Sequence, residues 1–165
     1  MRSPILVTIA KRAVAAGYRA LRFNFRGVGE STGTFGGGVD ELADVAAAAT
    51  FAAALDEPLA GIAGWSFGAA TALNWQAVSR SGVPYVGIAP PVTSPLSPPL
   101  PDPSSLTPAT RKFIIGARDQ FVAAADLEVY ASSIGATIAI YPGADHFFLF
   151  KHDQLADDVL AVIES

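Results

Sequence analysis

Behind Ser3-Pro4, a capping residue with proline at the first helical position, the apolar residues Ile5, Ile9, Ala13 and Ala16 recur at helical spacing. Gly17 then offers a C-terminal stop. The β-branched character of Ile5 to Ile9 also fits a strand, and that rival stays open at this point. Ala20 to Phe25 reads as a strand ending in the glycine-rich turn Arg26 to Gly38. Asp40 caps an alanine-rich helix that reaches about Leu55. Leu59 to Ala63 reads as a short buried strand, followed by a sharp turn and a helix from Phe67 to about Ser79. Further strands are expected at Tyr85 to Ala89, Lys112 to Gly116 and Thr137 to Tyr141, with helices from about Val122 to Ser133 and from Gln154 to Glu164. Short apolar strands alternating with helices predict an α/β fold, a mostly parallel sheet covered by helices on both faces.

One segment breaks the alternation. Pro90 to Pro108 holds eight prolines and little periodic pattern. Proline fixes φ and removes donors, so an extended surface loop is expected, serving either as a rigid connector or as a pocket wall or lid. A length of 165 residues fits a single domain, residues 1–165, long enough to bury a core without disulfides or metals.

Composition narrows the function classes. With 11 Lys and Arg against 15 Asp and Glu there is no cationic cluster to displace counterions, so nucleic acid is not expected as a partner. The chain has no Cys, which removes a thiol nucleophile and a thiolate metal site together. Two histidines and no HExxH give too few ligands for a catalytic metal, and no cofactor is expected. The longest apolar runs, such as Val45 to Leu55, are too short to span a bilayer. Lys11 and Arg12 fall inside the first apolar stretch, unlike a secretory signal, which places its cations first; a cytoplasmic location is the default expectation.

The chemistry concentrates at three places. Gly64-Trp65-Ser66-Phe67-Gly68 is a complete G-x-S-x-G, with a strand-like run ending at it and an amphipathic helix starting from it. A tight elbow leaves no room for Cβ atoms beside the serine, which is why glycines flank it. The helix N-terminus would set the Phe67 N–H and a positive dipole end beside a developing oxyanion. A serine hydroxyl needs a base to take its proton. His146, in Gly143-Ala144-Asp145-His146-Phe147-Phe148 just past the last strand, can return to the elbow on its loop, whereas His152 near the last helix reads as solvated. The orienting carboxylate is expected between serine and histidine in chain order, after a strand. Asp119 meets that description; Asp145 competes but adjoins His146 and is poorly placed for the ring's Nδ1. Trp65, Phe67, Phe147 and Phe148 would add aromatic surface, suiting an apolar acyl group or simply the core. Arg26 to Gly33 fails both nucleotide fingerprints, since Thr32 stands where glycine is needed and no Gly-Lys-Ser/Thr follows; Arg26 is expected to satisfy backbone carbonyls.

Leu21 to Ser31, the elbow Gly64 to Gly68, and Pro142 to Phe148 taken together resemble the small bacterial α/β-superfamily hydrolases, related to dienelactone hydrolases and prolyl-peptidase-type catalytic domains. The resemblance spans essentially the whole chain. It implies the α/β-hydrolase fold with a minimal cap and a cofactor-free serine hydrolase acting on a small-molecule substrate. Its triad falls on Ser66, Asp119 and His146. The departure is at the front: similar proteins begin with further strands and a His- and Gly-containing loop that donates a second oxyanion N–H, and Met1 falls where that loop should end. The expected form is thus N-terminally truncated, with Ala20 to Phe25 missing its neighbour and a sheet edge that invites self-association. Losing one oxyanion donor typically costs about 10²–10³ in rate. Three functions remain open: hydrolysis of an ester (less favourably an amide or thioester) through an acyl-serine, acyl transfer by the same triad, and a non-catalytic or fragmentary binding domain.

Overall fold

The computed structural model describes residues 3–55 and 57–165; Met1, on which the reading of the chain's front turned, lies outside them. Among the described residues there are five α-helices and four strands, in the order α1 (Pro4–Ala15), α2 (Glu41–Ala53), β1 (Ile62–Trp65), α3 (Phe67–Ser79), β2 (Tyr85–Ile88), β3 (Arg111–Gly116), α4 (Ala124–Ser133), β4 (Thr137–Tyr141) and α5 (His152–Ile163). The strands form one parallel sheet in the order β1-β2-β3-β4. Register sets Gly64 beside Gly87, Ile88 beside Ile114 and Gly116 beside Tyr141, so the strands end at a common rim.

Period-two alternation divides the strand side chains between two cores. Val86, Ile88 and Ile114 pack with Ile5 and Ile9 of α1 and with Leu155, Ala156 and Val159 of α5. Tyr85, Phe113 and Ile115 face Ala72 and Leu73 of α3 and Leu127 and Ala131 of α4. Burial on both faces explains why these strands read as apolar runs. Removing one such side chain, as in Leu73→Ala, would cost about 2–5 kcal/mol.

The open choice at the front resolves to a helix. Pro4 stands at its first turn, the Val7 N–H bonds the Ser3 carbonyl at 3.0 Å, and Gly17 ends it at φ +93°. Ser3 caps through its backbone alone, and its buried hydroxyl has no partner among the described residues. Asp40 likewise makes no side-chain cap. Glu41, one residue later and fully buried, takes the N–H groups of Gly36 and Gly38 at 2.7 Å each and so ties the glycine turn to α2. Arg26 does not bond backbone carbonyls as expected. Its turn lies over the start of α2, where its Nη2 meets Asp44 Oδ1 at 2.9 Å and its backbone N–H meets Oδ2 at 2.9 Å.

The larger correction concerns Ala20 to Phe25, which forms no strand. The backbone groups of residues 19–24 make no backbone–backbone hydrogen bond among the described residues. Among the described residues β1 itself pairs on one side only, with β2. Segment and strand face each other across a largely apolar slot of about 450 Å³, lined among others by Leu21, Phe23, Ile62, Ala63 and Leu6. Strand propensity was present at 20–25, but a strand exists only through a partner at about 4.8 Å, and neither edge reaches the other.

Pro90 to Pro108 runs as an extended loop with one short 3₁₀ turn at Pro103–Ser105. It is pinned by Asn74 Nδ2 on the Pro99 carbonyl and Tyr130 Oη on the Pro101 carbonyl. Among the described residues no helix is long and apolar enough to cross a membrane.

Candidate active site

β1 ends at Trp65 and α3 begins at Phe67, so Ser66 alone makes the turn, at φ 52° and ψ −125°. Its N–H remains in the sheet, donating to the Ile88 carbonyl at 2.8 Å, while its side chain stands above the strand ends. Gly64 is where the elbow is tightest: a Cβ there would lie 2.6 Å from both Cα and N of Ala69. Gly68 is less constrained, because a Cβ would meet only the Phe25 ring at 3.6 Å. Phe67 opens α3, where a first-turn N–H has no intrahelical acceptor.

The loop after β4 brings His146 to the elbow. The Arg118 N–H bonds the Ala144 carbonyl at 2.9 Å, laying this loop across the end of β3. Gly116 permits that approach, since a Cβ there would sit 2.4 Å from the Ala144 carbonyl oxygen. Trp65 Nε1 donates to the His146 carbonyl at 3.1 Å and fixes the backbone from the other side.

Ser66, Asp119 and His146 come together in one hydrogen-bonded chain. His146 Nε2 lies 3.0 Å from Ser66 Oγ, and Nδ1 lies 2.8 Å from Asp119 Oδ2. The other Asp119 oxygen accepts the N–H groups of Phe121 at 2.8 Å and Val122 at 3.0 Å. Burial pushes the Asp119 carboxyl upward, but bonds from His146, Phe121 and Val122 outweigh it and hold the group below the ordinary carboxylate value. An ionised carboxylate can only accept, so Nδ1 donates to it and Nε2 is the ring nitrogen turned to the serine hydroxyl. The side chains of His146 and Asp119 are 6% and 0% exposed, which removes competing water from this bond.

The other candidates take no part in this hydrogen-bonded chain. Asp145, the rival acid, accepts the Phe147 N–H at 3.0 Å. His152, at the start of α5, donates from Nε2 to the Phe147 carbonyl at 2.9 Å, outside the serine chain. Phe148 gives no site surface: it is fully buried in the α1/α5 core, its backbone at φ 51° turned inward. Phe67 packs edge-on to Phe25 and tilted against Phe35. Phe121, unremarked in the sequence, stands 5.0 Å from the His146 ring. The signal for it was the spacing Asp119-x-Phe121, an aspartate able to bond the N–H two residues on.

This fold and this serine turn define a class, and the chain belongs to it: the α/β-hydrolase family. It is 32% identical to an uncharacterised protein of Rickettsia prowazekii, over all of this chain and 74% of that protein. Among solved structures it is similar to an α/β serine hydrolase without lid from Xanthomonas campestris, at 27% identity and TM-score 0.85, covering 99% of this chain and 74% of that one. A homologue of α/β serine hydrolases from Coxiella burnetii matches at 26% identity and TM-score 0.82, over 98% of this chain and 76% of the other. No family model matches the chain.

Proposed function

We propose that this chain is a serine hydrolase that cleaves a small ester-type substrate through an acyl-Ser66 intermediate. One observation carries the reading: Asp119, His146 and Ser66 form a continuous hydrogen-bonded chain, with Nδ1 on the carboxylate and Nε2 on the hydroxyl. His146 Nε2 takes the Ser66 proton as Oγ bonds to the carbonyl carbon, and the negative charge moves to the carbonyl oxygen beside the Phe67 N–H. As the carbon–oxygen bond to the leaving group breaks, Nε2 returns that proton to the departing oxygen. Water, deprotonated by the same nitrogen, then attacks the acyl carbon; the bond to Oγ breaks, Nε2 passes the proton to Oγ, and the acid leaves a free Ser66 hydroxyl. Asp119 holds the ring and stabilises the imidazolium. The serine hydrolases that resemble this chain support the reading.

The test is pre-steady-state hydrolysis of p-nitrophenyl acetate. An initial burst of p-nitrophenol, stoichiometric with protein and lost in Ser66→Ala, is the expected result. Turnover equal in wild type and Ser66→Ala would refute the nucleophile.

A further inference from the structure

We propose that Phe121 and Phe147 form the wall that binds the leaving-group side of the substrate, so the chain selects esters of apolar alcohols. The inference rests on the triad reading above and names the half of the substrate that is recognised. A proton passed from His146 Nε2 to the departing oxygen requires that oxygen within about 3 Å of Nε2. Whatever is bonded to it must therefore extend past the neighbours of the imidazole ring.

Those neighbours are aromatic. Phe121 lies 5.0 Å and Phe147 5.7 Å from the ring centroid, both edge-on, and the two phenyl rings are 6.5 Å apart. Phe121 is 66% and Phe147 49% exposed, so both offer their faces to solvent beside a histidine that is itself buried. Trp65, also within reach of the ring, serves the backbone through its indole N–H.

The backbone of each phenylalanine is tied to a carboxylate. The Phe121 backbone N–H donates to Asp119 Oδ1, so the carboxylate that bonds His146 also fixes the backbone carrying this ring. The Phe147 N–H donates to Asp145 Oδ1. Two large apolar side chains fixed at the surface, one residue from His146 and two from Asp119, gain by being covered when a substrate arrives. The carbonyl oxygen turns the other way, toward the N–H of Phe67, whose side chain packs with Phe25 and Phe35. The acyl group and the leaving group are separate substituents of the carbonyl carbon and can be varied independently.

The experiment compares two ester series on the full chain. One holds the acyl group constant, as acetates of ethanol, butanol and hexanol, whose leaving groups are close in intrinsic reactivity. The other holds the alcohol constant, as ethyl acetate, butanoate and hexanoate. In the alcohol series kcat/KM is expected to rise about two- to fourfold per methylene. The double variant Phe121→Ala/Phe147→Ala should flatten that series and leave the slope of the acyl series unchanged. Phe121→Leu/Phe147→Leu, still apolar, should restore the slope. A flat alcohol series in the wild type, or equal losses in both series for the alanine variant, would overturn the proposal. Covalent labelling of Ser66 by a fluorophosphonate separates the levels: labelling with a flat alcohol series sinks this inference alone, whereas no labelling and no turnover sink the triad reading with it.

Discussion

Ser66 occupies a backbone region that a non-glycine residue adopts at a cost of about 1–3 kcal/mol, retained only where the surroundings enforce it. What enforces it is the close approach of Gly64 to Ala69 across the turn. The two elbow glycines should therefore respond differently. Gly64→Ala puts a methyl 2.6 Å from backbone and should destabilise by about 1–3 kcal/mol. Gly68→Ala meets an ordinary contact at 3.6 Å, and its thermal midpoint should stay near wild type. Equal effects at the two positions in a melting experiment would contradict this account of the elbow. Asp119→Asn keeps the shape but can no longer fix Nδ1–H, and kcat should fall by about 10⁴. A tenfold fall or less would mean that the carboxylate is not orienting the ring. Chain order made Ser66, Asp119 and His146 legible as candidates, because their spacing matches strand ends. The burial of Phe148 and the exposure of Phe121 were not legible, since an aromatic residue reads the same in a core and on a rim.

Most elements were readable because burial on both sheet faces leaves a simple apolar signature. α3 and β4 match their expected bounds, and α1 declares itself through Pro4 and Gly17. β1 begins three residues later than expected, at Ile62 rather than Leu59, because pairing with β2 and not hydrophobicity sets its start. The polar ties between elements were invisible, as they depend on which turn lies over which helix. Arg26 bonds Asp44 and holds its carboxyl below the ordinary value. Burial acts against Glu41, yet the amides of Gly36 and Gly38 keep its carboxyl low as well. At Asp158 burial is again outweighed, here by Lys112 and the Tyr141 hydroxyl. With Asp119, these groups have lower values folded than unfolded, so on acidification the unfolded chain binds protons first. The stability they contribute is complete above the unfolded carboxylate range, about pH 4, and is lost as pH falls through the folded values. The urea midpoint should hold steady down to about pH 5 and drop below about pH 4, less steeply in Asp158→Asn. A midpoint that rises on acidification would contradict these assignments.

At the scale of the whole molecule the sheet of the described residues has two open edges, β4 on one side and β1, which faces the slot, on the other. Ile62 donates its N–H to Pro84, just before β2, and Ser66 to Ile88 of β2, and in a parallel strand the alternate residues point the other way. Ala63 and Trp65 therefore aim N–H and C=O into the slot facing residues 20–25. Their amides should exchange with deuterium much faster than those of Ile62, Gly64 and Ser66; uniform protection along β1 would mean that the edge is paired in solution. An open edge of this kind is also the surface through which we propose the chain self-associates, and sedimentation at rising protein concentration tests it. Pattern along the chain could place each strand but could not say which strands have neighbours, because pairing is a property of the assembled sheet. The site is built on the rim formed by β1, β3 and β4, and none of its three side chains lies in the slot.

Whether that rim assembles a working nucleophile is decided most directly by incubating the purified chain with a fluorophosphonate, recording its intact mass and mapping the modified peptide. A gain of one probe per chain at Ser66, absent in Ser66→Ala and strongly slowed in His146→Ala, is the predicted result. No adduct, or an adduct that persists in Ser66→Ala, would contradict the assignment of Ser66 as an activated nucleophile.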